Sequence, residues 1–377
     1  MTPMDCPHRP PCPGCPRFGE PGIAPAVRDA LAALARAQGL PPLAVVEGPA
    51  TGFRHRARLA IRGRAASPKV GIFQQDTHRI TDVPRCVIHH PLVNDVAAAV
   101  KRAVRRTGVS LYGESSHRGL LRYLQVVVER ASQTAQVVLV ANDVTPDALA
   151  ATADLVRADL GARLHSLWWN GNTTHTNAIL GSRWHRWTGP ETTVETVGGA
   201  QVFYPPGAFG QANLPLADRL VARVHDWVPP DTRVLEMHAG VGAMGLGLLA
   251  RGQAVVFNEV SRFSLVGLNL GIDALGPDAR RRATVRRGPA ADHLDAIADA
   301  DVVICDPPRQ GLEAPLLARL AADPPARLVL VSCNPEAFLA EARALVAGGK
   351  TRLAAIVPFA LFPFTEHVET VGLFARR

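Results

Sequence analysis

Residues 233–259, RVLEMHAGVGAMGLGLLARGQAVVFNE, decide the fold class of this chain. The segment predicts a short apolar strand, RVLEM, a glycine-rich turn that opens a helix, and a second strand, AVVFNE. Gly240 and Gly242 let the backbone approach a ligand at the carboxyl end of the first strand. Glu259 ends the second strand, where a carboxylate can accept both hydroxyls of a ribose. The pattern predicts a nucleotide-type α/β domain, a layout that dinucleotide-binding domains share.

Two later strands end in polar motifs. VVICDPPRQGL supplies Asp306, and LVLVSCNPEAF supplies Cys333. Because the carboxyl ends of parallel strands border one crevice, both side chains are expected to face the pocket of the glycine loop. A thiol there, with Arg309 nearby, is a candidate nucleophile with a lowered pKa. The alternative, a small buried strand residue, is weakened because Asn334 and the following proline end the strand.

The C-terminal segment PFALFPFTEHVETVGLFAR places Glu369 at the start of a final strand. A thiol and a carboxylate that flank one pocket suit a reaction in which the thiol adds to an electrophilic ring and the carboxylate later removes a proton. Glu366 is a rival acid, expected to be solvated.

Composition and charge narrow the class of protein. The chain has 377 residues, 47% of them hydrophobic and 20% charged, as expected of a globular protein with two or three domains. We find no apolar run long enough for a membrane helix and no signal-peptide core, so we expect a cytoplasmic location and no membrane partner. The net charge is +8, and residues 51–130 hold 15 Lys and Arg against 5 Asp and Glu.

This basic region predicts a phosphate-binding surface and RNA as the partner. A strand, FRHRARLAIRG, alternates basic and apolar residues, which puts its first arginines on one face. A solvated face is the simpler alternative. The candidates for phosphate contact are Arg54, Arg56, Arg58, Arg102, Arg105, Arg106 and Arg122.

Four of the six cysteines resemble metal ligands by their spacing. Cys6, Cys12 and Cys15 form a C-x5-C-x2-C group in a segment rich in proline, and Cys86 stands alone. Four thiolates hold either a structural zinc or a [4Fe–4S] cluster, and the ligand set does not choose between them. Four unrelated free thiols are the remaining alternative. Cys305 lies in an apolar run and is expected to be an ordinary buried strand residue.

The expected organisation has three parts: a Cys segment at 1–18 that Cys86 completes, a mixed α/β RNA-binding region at 19–198, and the nucleotide-type α/β domain at 199–377. Within the middle part, LRYLQVVVER and AQVVLVAND predict a hairpin. LHSLWWNGNTTHTNAIL predicts another strand pair, in which Trp168 and Trp169 are expected to be core residues.

The order of these motifs resembles the RNA uridine-C5 (m5U) methyltransferase family, whose members depend on S-adenosylmethionine. The resemblance extends over most of the chain through FRHRARLAI, GAFGQANLPLADRLV, LEMHAGVGAMGLGL, FNE, DPPRQGL, VSCNP and FPFTEHVE. It implies a Rossmann-like class I methyltransferase domain at the C-terminus, joined to a mixed α+β RNA-binding domain and an N-terminal Cys cluster.

By position, Cys333 resembles the family's nucleophile, which attacks C6 of uracil, and Glu369 resembles the base that removes the C5 proton. Gln211, His238, Glu259 and Asp306 match positions that contact the methyl donor. The cysteines match the family's [4Fe–4S] set, which favours iron–sulfur over zinc. With no N-terminal β-barrel domain before the Cys segment, the chain resembles the 23S ribosomal RNA branch and implies 23S rRNA as the substrate.

Two positions depart from the family pattern. Where the family usually has an aspartate followed by Tyr/Phe-Cys-Gly, this chain has Glu236, Met237, His238 and Ala239. Pro289 stands where an acidic residue often follows the third strand, with Asp292 as a possible substitute. The alternatives are tRNA uridine or RNA cytosine C5 methylation, which also need a Cys nucleophile, and a non-catalytic RNA-binding assembly factor that keeps the fold. The sequence does not indicate a protein partner.

Overall fold

The computed structural model describes residues 5–20 and 22–377, so the first four residues of the expected Cys segment lie outside the described residues. The chain folds into two compact units. Unit 1 comprises the residues up to Gly19 together with 49–195, and unit 2 comprises 20–48 together with 196–377.

Helices and strands alternate through much of unit 2, whereas most strands of unit 1 follow one another directly. The helices are α1 (Pro25–Ala37), α2 (Pro91–Thr107), α3 (Ala150–Leu160), α4 (Leu214–Asp226), α5 (Gly245–Ala250), α6 (Arg262–Ala274), α7 (Pro277–Arg282), α8 (Ala314–Ala322) and α9 (Pro335–Ala347). The strands up to residue 204 are β1 (Arg56–Arg64), β2 (Ser67–Phe73), β3 (Ile80–Asp82), β4 (Leu121–Glu129), β5 (Thr134–Ala141), β6 (Leu164–Gly171), β7 (Arg183–Thr188), β8 (Thr193–Val197) and β9 (Ala200–Tyr204). The later strands are β10 (Arg233–Met237), β11 (Ala254–Glu259), β12 (Ala283–Arg287), β13 (Val302–Cys305), β14 (Arg327–Ser332), β15 (Thr351–Phe359) and β16 (Glu369–Arg376).

Unit 1 is built on a seven-stranded sheet in the order β3-β2-β1-β4-β5-β6-β7. Neighbouring strands pair antiparallel except β5 and β6, which are parallel and joined by the crossover helix α3. Apolar residues of α2 and α3 pack with alternate residues of the strands, among them Val93, Val156 and Leu124, to form one core. Alternation within the strands leaves the polar residues of β1 and β4 on the opposite face.

The predicted hairpin of unit 1 is confirmed, since β4 and β5 pair antiparallel. The second predicted strand pair is only half correct. Its first half forms β6, but residues 172–182 form a loop, and the strand that pairs with β6 is β7. The Asn172 side chain donates to the carbonyls of Ala178 and Ile179, at 2.7 and 3.0 Å, and so closes the loop on itself. Trp169 is 2% exposed, as expected of a core residue, whereas Trp168 is half-buried.

Several arginines predicted to contact phosphate are engaged within unit 1. Arg122 is only 2% exposed and donates to two backbone carbonyls, so its predicted role in phosphate contact is wrong for this structure. Arg58 is exposed but donates from Nε to the Gln125 side chain at 2.8 Å. Arg105 and Arg106 are exposed in the last turn of α2 and remain candidates for phosphate contact.

Unit 2 is built on a second seven-stranded sheet in the order β12-β11-β10-β13-β14-β16-β15. The first five strands are parallel, and β16 enters antiparallel between β14 and β15. The predicted strands RVLEM and AVVFNE coincide with β10 and β11 residue for residue. A mixed α/β fold is therefore confirmed. Within the described ranges, no helix combines the length and the apolar character that a bilayer span requires.

Residues 20–48 group with unit 2, a division that differs from the expected boundary at residue 199. Leu31 and Leu34 of α1 belong to the same apolar core as Phe338 of α9 and Leu330 of β14. The amphipathic pattern of α1 predicts a buried face but not which sheet buries it, because that depends on residues about 300 positions away.

We predict that Phe338→Ala lowers the free energy of unfolding by about 3–5 kcal/mol, because it empties a fully buried site in the core of unit 2. Chemical denaturation monitored by circular dichroism measures the loss. Phe209→Ala is the matched control, since Phe209 is 67% exposed and its loss leaves no cavity. Equal losses in the two variants would contradict this account of the core.

Candidate active site

Four parallel strands of unit 2 bring the predicted site residues to one edge. The strands β11, β10, β13 and β14 are consecutive neighbours, and their carboxyl ends lead into Glu259, His238, Asp306 and Cys333. Since parallel strands end at the same edge, these side chains follow one another along the crevice. From the sequence, Asp306 and Cys333 were expected at strand ends beside the glycine loop, without a prediction of the strand order.

Glu369 reaches the same edge from the opposite direction. β16 runs antiparallel to β14, and Ser332 pairs with Thr370 in the register of the two strands. Cys333 directly follows Ser332 and Glu369 directly precedes Thr370, so the antiparallel register sets the two residues side by side. Glu369 is 1% exposed, whereas the rival Glu366 is exposed to solvent as expected.

The charges around Cys333 act against its ionisation in the free protein. Burial first, and then the negative charges of Glu369 and Asp306, raise the pKa of the thiol. Arg309 acts in the opposite direction but does not outweigh them. The predicted lowering of the Cys333 pKa is therefore wrong for the free protein, because the two carboxyl groups were not included in that prediction. Cys305, by contrast, is fully buried as predicted.

The two carboxyl groups are also perturbed. Burial raises the pKa of Asp306 to about 7. Burial and the neighbouring Asp306 raise the pKa of Glu369 well above its usual range, and Arg309 partly compensates. Carboxyl groups with raised pKa values are stronger proton acceptors than ordinary ones, which is the property that a general base near neutral pH requires.

The loop after β13 is fixed by two contacts that the sequence motifs do not reveal. The Asn334 side chain donates to the Arg309 carbonyl at 3.1 Å. Glu341 of α9 accepts from the backbone N–H of Leu312, while Gly311 adopts φ +84°. A Cβ at Gly311 would meet Glu341 Oε1 at 2.1 Å, so glycine is required there. Glu341 lies within an ordinary amphipathic helix, and no local signal identifies this role.

The glycine loop is supported by a buried carboxyl group. Glu236 is 3% exposed and accepts from the Gly245 N–H at 2.9 Å. Burial, with a contribution from Asp306, raises the pKa of Glu236 to about 8. Gly242 has φ +81°, and a Cβ there would lie 2.6 Å from Leu268, so the close turn depends on glycine. Gly240 also has a positive φ, of 58°.

Glu259 is the carboxylate expected to hold a ribose. It is buried, and its Oε2 accepts from the Gly240 N–H at 2.7 Å while Oε1 accepts from the Val260 N–H at 2.9 Å. Oε1 also accepts from the Ser261 N–H at 2.5 Å, so both of its lone pairs are used, whereas Oε2 keeps one lone pair with which to accept from a ligand. The side chain is thus aligned by the glycine loop itself.

His238 is the residue at which the chain departs from the family pattern. It adopts φ +58°, which is uncommon for a residue with a side chain. Burial lowers the pKa of its imidazole, although Glu313 and Glu259 oppose the shift. Both ring nitrogens are buried and have no hydrogen-bond partner within the structure described. Buried polar atoms are normally satisfied, so this orphaned ring indicates a position that a ligand or water completes.

The remaining predicted contacts lie on loops. Gln211 is half-buried between β9 and α4, two residues after the exposed Phe209 and two before Asn213, which caps α4. Asp292 is exposed in a short 3-10 segment after Pro289. The loop near Pro289 is instead fixed by Glu313, which accepts from the Ala291 N–H at 2.7 Å.

In unit 1, the four predicted cysteine ligands line one cavity of about 190 Å³. Arg54 and Arg58 line the same cavity, which corrects their predicted placement on an RNA-facing row. Burial, reinforced by the nearby Cys86, raises the pKa of the Cys15 thiol to about 12. Among residues 5–20 and 22–377, however, no three or more His, Cys, Asp or Glu side chains are arranged to hold a metal ion.

We predict that Asp306→Asn raises the free energy of unfolding at pH 8 by about 1–3 kcal/mol. The folded state holds the Asp306 proton more tightly than the unfolded chain, so ionisation costs stability as the pH rises from about 4 to about 7. The difference should fade as the pH falls toward 4, which denaturation at several pH values measures. Asp231→Asn, at an exposed turn, should change little. A variant that is destabilised equally at all pH values would refute the assignment.

Comparison with known proteins identifies the family. A family model described as tRNA (uracil-5-)-methyltransferase matches residues 292–377. An uncharacterized RNA methyltransferase of Protochlamydia amoebophila is 32% identical over 99% of this chain and 98% of its own length. A similar protein of Geobacter sulfurreducens is 29% identical over 86% of this chain and 66% of its own length.

A solved structure supports the same assignment. It is the Pyrococcus abyssi tRNA (uracil-54, C5)-methyltransferase in complex with S-adenosyl-L-homocysteine, with a TM-score of 0.77 and 25% identity. The similarity covers 93% of this chain and 80% of that chain. These matches bear out the predicted enzyme class and the predicted dependence on S-adenosylmethionine. The protein therefore belongs to the RNA uracil-5-methyltransferase family.

Proposed function

We propose that the protein methylates C5 of a uridine in structured RNA and that Cys333 and Glu369 carry out the reaction. The observation that carries this proposal is the register of β14 and β16, which sets a half-buried thiol beside a buried carboxyl group at the ligand edge of the sheet. Uracil is unreactive at C5 until a nucleophile adds at C6. A thiol and a proton acceptor at the same edge meet that requirement.

In the first step, the Cys333 sulfur bonds to C6 and the electrons of the 5,6 double bond move toward C5 and the O4 carbonyl. The thiol must first lose its proton, and in the free protein the neighbouring carboxyl groups oppose this. Arg309 favours the thiolate, and a cationic ligand in the crevice would add to its effect. Addition is therefore expected to follow binding of the positively charged methyl donor.

In the last step, Glu369 takes the proton from C5, the double bond forms again, and the C6–S bond breaks to release Cys333. The raised pKa of Glu369 suits this role, because the carboxylate binds a proton more strongly than an exposed glutamate would. The overall exchange replaces one hydrogen at C5 with the methyl group of S-adenosylmethionine, leaves S-adenosyl-L-homocysteine as the second product, and releases one proton.

Residues of the glycine loop fit the methyl donor. The orphaned ring nitrogens of His238 and the oriented Glu259 carboxylate lie where a nucleoside with a charged amino-acid tail needs polar partners. Gly240 and Gly242 allow close backbone approach, and we assign Gln211 and Asp306 to the same site by their positions in the family motifs. When bound, S-adenosylmethionine supplies the methyl group as an electrophile.

We further propose that Cys6, Cys12, Cys15 and Cys86 hold a [4Fe–4S] cluster. All four thiols line the same cavity, whose volume of about 190 Å³ is much larger than one zinc ion with Zn–S bonds of about 2.3 Å requires. Because a coordinated thiol is deprotonated, bound iron would reverse the effect of burial on Cys15.

The proposed substrate is 23S ribosomal RNA, supported by the four-cysteine set that resembles the ribosomal branch of the family. A tRNA uridine is the second candidate, because the matched Pyrococcus abyssi enzyme is a tRNA (uracil-54, C5)-methyltransferase. Both substrates would require the same chemistry at Cys333 and Glu369.

We predict that the anaerobically purified protein, incubated with methyl-labelled S-adenosylmethionine and unmodified total RNA, forms labelled 5-methyluridine. Separation of 23S rRNA from tRNA before digestion shows which RNA carries the label. Cys333→Ala should abolish labelling without loss of donor binding, which calorimetry measures. Glu369→Gln should leave methylated RNA attached to the protein as an adduct that survives denaturation, because the C5 proton is not removed.

Cys305→Ala is the matched control, since it removes a buried thiol one strand away and should keep nearly full activity. Label in 5-methylcytidine, or normal activity of Cys333→Ala, would contradict the proposed mechanism. Donor binding without any labelled nucleoside would instead favour a non-catalytic RNA-binding factor.

The cluster proposal predicts about four iron and four sulfide ions per chain and visible absorption in the anaerobic protein. Cys86→Ser should lose most of both, whereas Cys305→Ser should retain them, because Cys305 lies outside the cavity. Metal analysis by mass spectrometry makes the measurement. One zinc ion per chain without visible absorption would contradict the cluster proposal and indicate a structural zinc site.

A further inference from the structure

Two histidines of unit 1 form a stacked pair on the protein surface. The rings of His117 and His175 lie with centroids 4.1 Å apart and planes inclined by 10°, although the residues are 58 positions apart in the chain. Both residues are exposed. Neither residue belongs to the active site or to the cysteine cavity, so the pair needs an explanation of its own.

A buried tyrosine holds the first ring of the pair. Tyr112 is 1% exposed, and its hydroxyl lies 3.0 Å from Nδ1 of His117. His117 adopts φ +52°, a conformation that costs energy for a residue with a side chain. The strained turn and the tyrosine contact together fix the orientation of an exposed ring, which otherwise would sample several rotamers.

A buried arginine holds the loop that carries the second ring. Nη1 of Arg122 donates to the carbonyls of Asn172 and Thr174 at 2.6 and 2.9 Å, and its guanidinium lies 4.3 Å from the centre of the Tyr112 ring. Burying a guanidinium is unfavourable unless its charge and donors are satisfied. Here Nη1 is satisfied by the two carbonyls and the charge by the face of the Tyr112 ring, whereas Nε has no hydrogen-bond partner within the residues described. The Nη1 contacts support the residue directly before His175, and the same tyrosine supports His117.

The loop is also closed by its own side chains. Asn172 Oδ1 accepts from the backbone N–H of Thr174 at 3.0 Å and from its hydroxyl at 2.7 Å. With the Asn172 contacts to Ala178 and Ile179, both ends of the loop are tied to one residue. A preorganised loop loses little entropy when it binds a partner.

We propose that His117 and His175 form a platform on which an unpaired nucleobase of the RNA substrate stacks. The proposal rests on the proposed function insofar as the occupant is RNA. Proteins recognise single-stranded and looped RNA by stacking splayed bases on flat side chains, histidine included. His117 lies within residues 51–130, which hold 15 basic and 5 acidic residues, and the exposed Arg118 directly follows it.

Ring geometry favours a base over a metal ion. Parallel, face-to-face imidazoles direct their nitrogens sideways instead of toward a common point, and Nδ1 of His117 already lies within hydrogen-bond distance of Tyr112. The outer face of the pair presents an aromatic surface, while Nε2 of His117 stays available at the edge for a base or a phosphate.

The test uses the full chain and a short RNA hairpin whose unpaired loop contains 2-aminopurine, a base whose fluorescence falls when it stacks. Wild-type protein should bind the hairpin and quench the loop base. His117→Ala/His175→Ala should bind on the order of tenfold more weakly and lose the quenching. His117→Phe/His175→Phe should restore both, since phenylalanine keeps the stacking surface without the ring nitrogens.

His78→Ala is the matched control, because His78 is also exposed in unit 1 but lies in the turn before β3. The salt dependence separates stacking from phosphate contact, since loss of stacking should leave the slope of log affinity against log salt unchanged. The proposal is wrong if the wild-type protein does not bind the hairpin or does not quench its 2-aminopurine fluorescence. It is also wrong if the double alanine variant binds the hairpin as tightly as the wild type. The assay needs no methylation, so its failure is distinguishable from failure of the proposed function.

Discussion

The pairing of Ser332 with Thr370 is the constraint on which the candidate active site depends. It brings Glu369 beside Cys333 through backbone hydrogen bonds, so the spacing of the two groups does not depend on flexible side-chain contacts. A shift of one residue in this register would turn Glu369 to the other face of the sheet. The position of the two reacting groups therefore depends on the pairing of β14 with β16, and the chemistry depends on Cys333 and Glu369, which lie at the end of that pairing.

Burial of carboxyl groups gives the crevice its electrostatic character. Glu236, Asp306 and Glu369 each have a raised pKa, so the free protein keeps protons at an edge that would otherwise concentrate negative charge. A bound sulfonium cation would favour the ionised forms of the same groups. Binding of the methyl donor therefore favours the ionised form of the carboxylate that accepts the proton. In the free protein, ionisation of these buried groups at high pH lowers the free energy of unfolding.

The sequence predicted those features that depend on local pattern. The strands RVLEM and AVVFNE, the placement of Asp306 and Cys333 at strand ends, and the burial of Cys305 all follow from apolar runs bounded by polar residues. The buried Arg122, the loop contact of Glu341 and the allocation of α1 to unit 2 did not follow, because each depends on partners distant in the chain. The position of a charged residue in a strand does not predict whether its side chain is hydrated or donates to a backbone carbonyl.

The division of the chain into units has a consequence for biosynthesis. Because residues 20–48 belong to unit 2, helix α1 leaves the ribosome long before α9 and β14, against which Leu31 and Leu34 pack. Its apolar face has to remain uncovered while about 300 further residues are made. Unit 2 consequently matures only near the end of translation, and a nascent chain of this enzyme is exposed to aggregation or chaperone capture at its α1 segment for most of its synthesis.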